Sequence, residues 1–276
     1  MNSLEKTGGE EIHILFLHHS TGQNIWNGDR STAISKIAGK VSNRLSYKFY
    51  KKAALPCFFE KYNKKHNTKF IIDELSFPKK KPYGWCNFPF DYYNIWVKNG
   101  GSDYYLEEPT LEMLVKKYQV IVFKHCFPVC NIHSNEALDN IDSDYKSLTN
   151  YKLQYLALKE KFSQFKETKF VVITGAARVK SQISEEEAKR AREFFEWVAK
   201  EWDRPNDNIH IWDFYDLQTE GGIYFKDDKA SSSINSHPNE NFSGYTSELL
   251  FHRIIDVIKT NGSETTLTGK RMRSEL

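Results

Sequence analysis

A serine hydroxyl becomes a competent nucleophile when a neighbouring base takes its proton, and histidine is the side chain that does this most readily near neutral pH. Two short segments at opposite ends of the chain supply these parts. Near the start, His18-His19-Ser20-Thr21-Gly22 follows an apolar run, Ile12 to Leu17; near the finish, Ser236-His237-Pro238-Asn239 precedes a long helical pattern. Taken alone, Ser20 would serve as a helix N-cap and His237 as a loop histidine bonded to a turn. Together, at the two ends of one sheet order, they form a candidate nucleophile and general base for acyl transfer.

Five apolar, β-branched or aromatic runs are spaced along the chain: Ile12 to Leu17, Phe70 to Leu75, Val120 to Phe123, Phe170 to Thr174 and Ile209 to Phe214. Helical periodicity lies between several of them. Leu148, Tyr151, Tyr155, Leu158, Phe162 and Phe165 keep the three-and-four spacing of a buried stripe. Ser184 with Glu187 three residues on is a capping box, and it opens a helix that buries Ala188, Ala191, Phe195, Val198 and Trp202 before Pro205. Leu250, Ile254, Val257 and Ile258 mark a C-terminal helix. Strands alternating with helices imply crossover connections, hence a three-layer α/β/α sandwich around a five-stranded, mainly parallel sheet. Ser20 then lies at the carboxyl end of the first strand, where reactive groups of such sheets gather and where a following helix aims amides into the crevice.

The chain has 276 residues, with 39 Lys+Arg against 36 Asp+Glu. A length of this order suits one α/β domain, here residues 1–262, with the segment after it, 263–276, expected to be a disordered tail. A net charge of +3 argues against nucleic acid or an anionic membrane as partner. No window holds 18 apolar residues and the first eleven residues do not read as a signal peptide, so the expected location is cytoplasmic. Cys57, Cys86, Cys126 and Cys130 form no CxxC and are expected to stay reduced.

From about residue 77 to 109 the rhythm breaks into a segment rich in Pro, Gly, Trp and Tyr, which reads as a long insertion. Its aromatics could offer flat faces to sugar rings or could tie the segment to the domain body.

The two end blocks and the five runs resemble the SGNH or GDSL-type hydrolases. In that family the serine follows the first strand, the histidine stands in a His-Pro context before the last helix, and the sheet has five parallel strands. Ser20 and His237-Pro238-Asn239 match the two positions. The chain departs from the pattern where the family has Gly-Asp before its serine, since His18-His19 stand there, and where it has an acid three residues before its histidine, since that residue is Ile234. The expected replacement is a displaced acid, Asp227 or Asp228; Asn235 or a backbone carbonyl are the other groups that could orient the ring. The resemblance also implies an oxyanion hole from the serine's amide, a glycine after the second strand and an asparagine after the third. Gly84 and Asn131 are the residues available, with Gly22, His19, His125 and Trp85 as further candidates for lining the crevice.

The activity the resemblance implies is hydrolysis of carboxylic esters, O-acetyl or short acyl, with the aromatic insertion pointing toward a small-molecule or glycan ester. An acyltransferase of the same fold and a degenerate ligand- or glycan-binding protein are the alternatives. No cofactor is expected. No metal is expected either: His18, His19, His125 and His237 could share a crevice, but HExxH and comparable ligand spacings do not occur.

Overall fold

A computed structural model of the chain describes residues 11–31, 50–84, 87–135 and 139–272. All five apolar runs form strands of one parallel sheet: β1 (Glu11–His18), β2 (Lys69–Ser76), β3 (Val120–Lys124), β4 (Lys169–Ile173) and β5 (Ile209–Trp212), in the order β2-β1-β3-β4-β5. The register aligns Ile14 with Ile72 on one side and with Val120 on the other, and Val122 with Val171. Every residue of β3 and β5 is buried, as expected of strands covered on both faces. Edge strand β2 alternates less and carries Lys69, Asp73 and Glu74, charges that discourage pairing with another chain.

Helices α1 (Ser20–Asn27), α2 (Ala54–His66) and α5 (Glu240–Thr260) pack on one another over one face of the sheet. Helices α3 (Leu148–Ser163) and α4 (Glu185–Trp197) cover the other. The capping box at α4 is formed: Ser184 Oγ accepts from the Glu187 amide at 3.3 Å, and the Glu187 carboxylate accepts from the Ser184 amide at 3.2 Å. Ser147 and Asn239 cap α3 and α5 in the same way through Asn150 and Phe242. Tyr151, Tyr155, Leu158 and Phe162 of α3 are the buried stripe that the spacing predicts.

The chain crosses from β1 to β2 on one side and returns to place β3 on the other side of β1. The carboxyl ends of β1 and β3 therefore flank the point where strand order reverses, the place where site residues gather in sheets of this kind.

One of the two readings of the 77–109 segment is favoured and one expectation, the tail, is corrected. The described residues of the segment contribute to the core. Phe77, Tyr92 and Trp96 are fully buried, the last two on a short helix, Pro89–Tyr92, that continues as a π-helix, Tyr93–Lys98. The Trp96 ring stacks on Phe77 at 5.2 Å and meets Phe123 of β3 edge-on at 5.5 Å. Most of its described aromatics are thus spent on the body of the domain, the second of the two readings, while Tyr104 is exposed. The expected tail is also folded as far as residue 272. Trp212 donates its indole N–H to the Thr268 carbonyl (3.0 Å), and the Thr265 amide donates to the Asp256 carboxylate (2.8 Å), which fasten it to β5 and α5. Residues 273–276 lie outside the described residues. No helix among the described residues is long and apolar enough to cross a membrane.

Candidate active site

Ser20 is the first residue of α1, and the preceding residue, His19, occupies the N-cap position without a side-chain cap. The serine hydroxyl is therefore not used to cap its own helix. It lies 2.9 Å from His237 Nε2. The amides of Ser20, Thr21 and Gly22 belong to the first helical turn, where no intrahelical carbonyl can accept from them, so they are donors available beside Oγ.

His237 is carried by a β-hairpin, Ala230–Ser232 paired with Asn235–Pro238. Alternation along its second strand turns Ser236 inward and His237 toward Ser20. Ser236 is buried and anchors the strand, donating from Oγ to Gln182 Oε1 (2.6 Å) and accepting from the Val179 amide (3.1 Å). One helical turn beyond Ser20, Asn24 donates from Nδ2 to the Pro238 carbonyl at 3.0 Å, joining α1 to the same strand. This bond holds the spacing between Ser20 and His237.

The other ring nitrogen of His237, Nδ1, lies 2.8 Å from Asn235 Oδ1. The amide of His237 also donates to that oxygen, at 3.1 Å, which fixes the Asn235 side chain with its oxygen toward the ring. Nδ1 must then carry the proton, and Nε2 presents its lone pair to the serine O–H. This is the tautomer a general base requires. Burial, and secondarily the charge of Lys124, lower the pKa of His237 from its ordinary value, so the ring is neutral at neutral pH. The Phe127 ring meets the imidazole edge-on at 5.2 Å and shields one side.

Of the expected triad acids, neither reaches the site. Asp227 and Asp228 are exposed, and Asp228 contributes its backbone carbonyl to Asn239 Nδ2 (2.7 Å). Among the described residues no carboxylate bonds His237; Asn235, next to the residue where the acid was sought, takes that place. Sequence reasoning ranked it behind the displaced acids because an amide is the weaker partner for an imidazolium.

The other candidates separate into those beside the site and those elsewhere. Gly22 is in the first turn, and its lack of a side chain has a second cause: a Cβ there would overlap the Cβ of His18. His18 is buried under α1, with Nε2 3.0 Å from a Glu74 carboxylate oxygen and Nδ1 3.0 Å from the His19 carbonyl. That carbonyl also accepts the first α1 bond, from Gln23 (2.9 Å), so His18 braces the turn on which Ser20 stands. His19 points its Nε2 at the Pro78 carbonyl, tying the insertion to the site, and burial lowers its pKa. Its ring is committed to that carbonyl and not to an oxyanion.

Gly84, Asn131 and His125 are corrections. The Gly84 amide closes a turn on the Lys80 carbonyl (3.4 Å), and Asn131 donates to Glu187 of α4 (3.3 Å); both donors are already engaged. His125 follows Lys124 and so faces the α3 side of the sheet, fully buried, with Nε2 2.7 Å from the Tyr155 hydroxyl and its pKa pushed down to about 3 by burial. It does not line the crevice. Trp85 lies outside the described residues, as does Cys86; Cys57, Cys126 and Cys130 are free thiols. Since His18, His19, His125 and His237 each face a different partner, they form no shared ligand set, and none of three or more His, Cys, Asp or Glu is gathered among the described residues.

The residues that sequence reasoning missed are Asn24, Ser236 and Lys124. The last is a fully buried lysine at the end of β3, readable only as a charge interrupting an apolar run.

No protein-family model matches the chain, and no curated protein does. Solved structures do resemble it. A carbohydrate acetylesterase from Xanthomonas citri superposes with a TM-score of 0.50 at 8% identity, over 93% of this chain and 58% of that one. A gut microbial diltiazem-metabolizing enzyme gives 0.45 at 10% identity, over 87% of this chain and 46% of that one. A carbohydrate esterase whose active site is described as having divergent catalytic and non-catalytic binding functions gives 0.41 at 14%, over 90% and 66%. The chain therefore spans about half to two thirds of the length of these structures. Its five-stranded α/β/α architecture is shared with the carbohydrate acetylesterase from Xanthomonas citri.

Proposed function

We propose that the protein is a serine-dependent carboxylic ester hydrolase acting on O-acetyl or short acyl esters, with a carbohydrate as the alcohol part. The observation that carries this reading is the Ser20–His237 pair at 2.9 Å, with the ring held by Asn235 in the tautomer that leaves Nε2 free to accept. Ser20 Oγ attacks the ester carbonyl as its proton passes to His237 Nε2. The resulting oxyanion takes hydrogen bonds from the first-turn amides of α1. His237 then returns the proton to the departing alkoxide, leaving an acyl-serine. Water, deprotonated by the same nitrogen, attacks the acyl carbon and releases the acid and the free serine.

The carbohydrate part of the reading is supported by the likeness in fold to a carbohydrate acetylesterase; the aromatic insertion lends it nothing, because its described rings are largely buried. A second reading, a ligand-binding protein with slow or no turnover, is favoured by one observation, the amide where a carboxylate would stabilise the imidazolium. In serine proteases an amide in this place costs a factor of about 10⁴ in turnover through the wrong tautomer; Asn235 keeps the right tautomer, so the loss here is confined to the missing charge. An acyltransferase would use the same acyl-serine with a sugar hydroxyl in place of water.

A fluorophosphonate probe tests the hydrolase reading. Wild type is expected to label, Ser20→Ala to lose labelling entirely, and His237→Gln to label at least tenfold more slowly. Labelling of the Ser20→Ala variant at the wild-type rate, or of no form at all, overturns it. Release of p-nitrophenol from its acetate, with and without a sugar acceptor, then separates hydrolase from transferase.

A further inference from the structure

The hairpin that carries His237 is too slight to fix the ring by itself. Its strands have three and four residues, the register shifts between Ala230 and Ser232, and the pairs that remain are Ala230 with Pro238 and Ser232 with Asn235. A lone two-stranded hairpin is marginal in water. The geometry leaves little slack, because Asn235 must meet Nδ1 while Nε2 stays within reach of Ser20. Asn24 holds the Pro238 end of the strand. The other end is held from across the site, by the loop after β4.

That loop ends in a 3₁₀ turn, Lys180–Gln182, in which the Gln182 amide donates to the Val179 carbonyl (3.0 Å). The Gln182 carboxamide reaches the hairpin twice. Nε2 donates to the Ile234 carbonyl at 2.7 Å, and Oε1 accepts from Ser236 Oγ at 2.6 Å. These directions are forced: a carbonyl only accepts, so the amide nitrogen faces Ile234 and the amide oxygen is left for the hydroxyl. The Val179 amide donates to the same Oγ at 3.1 Å, which leaves the hydroxyl proton for Gln182. The two contacts stand on either side of Asn235, and a side chain that only donated or only accepted could not make both. The turn is itself anchored. The Phe225 amide donates to the Arg178 carbonyl (2.8 Å), and Arg178 donates from Nη1 to the Gln182 carbonyl (3.3 Å) and from Nε to the Phe127 carbonyl (3.4 Å). Phe127 is the ring that meets His237 edge-on. A closed circuit thus surrounds the imidazole, from Gln182 to the hairpin, to Phe127, to Arg178 and back.

We propose that Gln182 is a positioning residue for His237 that acts through Asn235: by bracketing Asn235 it holds that amide oxygen against Nδ1 and so sets the aim of the ring at Ser20. The effect on turnover rests on the hydrolase reading, and the effect on the His237–Asn235 bond does not. Both bonds from Gln182 to the hairpin are at least partly open to water, so their loss changes global stability little. Geometry is the quantity they control, and displacing a reacting group by about 1 Å can cost on the order of 10²-fold in rate.

The test is a double-mutant cycle in the full chain between Gln182→Met, which keeps the length and removes both bonds, and Asn235→Ala. Gln182→Met is expected to slow fluorophosphonate labelling by about 10-fold or more, and to lower kcat for p-nitrophenyl acetate while KM stays within about 2-fold. In the Asn235→Ala background the same substitution should slow labelling by less than about 2-fold, because the group it acts through is gone. Unchanged labelling in Gln182→Met overturns the proposal, and so do equal fold-losses in the two backgrounds, which mark a general loosening of the fold. Proton NMR separates this from the hydrolase reading. The low-field Nδ1 proton of His237, assigned by its loss in His237→Gln, should be lost to solvent exchange in Gln182→Met. If wild type does not label but this signal behaves as expected, the positioning stands and the hydrolase reading falls; a signal unchanged in Gln182→Met overturns the positioning.

Discussion

At the scale of single residues, the site is a serine and a histidine assisted by an amide. Asn235 can accept the Nδ1–H bond and hold the ring in place, but it brings no charge to offset the imidazolium formed as Ser20 loses its proton. Asn235→Asp is therefore expected to raise the rate of ester cleavage by about 10-fold or more, and to raise the pH at which His237 protonates. Asn235→Ala, which frees the ring to turn, should lower it by at least about 10-fold. Rates of p-nitrophenyl acetate cleavage as a function of pH read both. Since burial and Lys124 hold His237 below its ordinary range, wild-type activity should be full at pH 7 and decline only as pH falls below the usual imidazole value. The pairing of Ser20 with His237 was legible in the sequence because each sits at a punctuation point, after an apolar run and before a capped helix. The orienting partner was legible only as one of several alternatives, because Asn235 reaches His237 through a two-residue spacing on a bent hairpin with a register shift, which no periodicity announces.

At the scale of elements, the machinery depends on how closely α1 lies on the end of β1. Gly22 permits that approach, for a methyl group there would collide with His18, itself locked between Glu74 and the His19 carbonyl. Gly22→Ala should destabilise the protein by about 1–3 kcal/mol, as overpacking of a tight contact does, and slow labelling of Ser20 further than the stability loss explains. Urea unfolding and labelling rates, measured on the same samples, separate the two. The strands and the three predicted helices were readable because two- and three-and-four-residue periods survive in them. Helix α2 was not, since only Leu55 and Phe59 of its thirteen residues are buried, too few to write a stripe. The start of α5 escaped for a similar reason: polar residues Ser243, Thr246 and Ser247 fill its buried face ahead of the aliphatic run.

At the scale of the whole molecule, the insertion and the sheet share one core. Trp96 touches Phe77, Tyr92, Phe123 and Phe162, so it links the insertion to β3 and to α3. Trp96→Ala should cost about 3–5 kcal/mol and should do so in a single unfolding transition seen alike by circular dichroism and fluorescence. Two separate transitions would show that the insertion folds as its own unit. Composition left two readings open here, because an aromatic, proline-rich stretch can either face a ligand or pack on the domain. Most of its described rings are buried because they reach across a layer, a property of where the segment lies and not of how it is spaced.

The hydrogen bond from Asn24 to the Pro238 carbonyl has a consequence in time as well as in space. It and the Ser20–His237 contact join residues more than two hundred positions apart, 214 and 217 respectively, and His237 is made after all five strands of the sheet. A nascent or refolding chain can complete the sheet while its serine is still inert. On the proposed hydrolase reading, reactivity at Ser20 is a late event that follows docking of the last hairpin, and long-range closures of this kind are slow to form. In a refolding experiment the recovery of probe labelling should lag the recovery of secondary structure, so the protein carries its own reporter of completed folding; simultaneous recovery would place hairpin docking earlier than its position in the chain suggests.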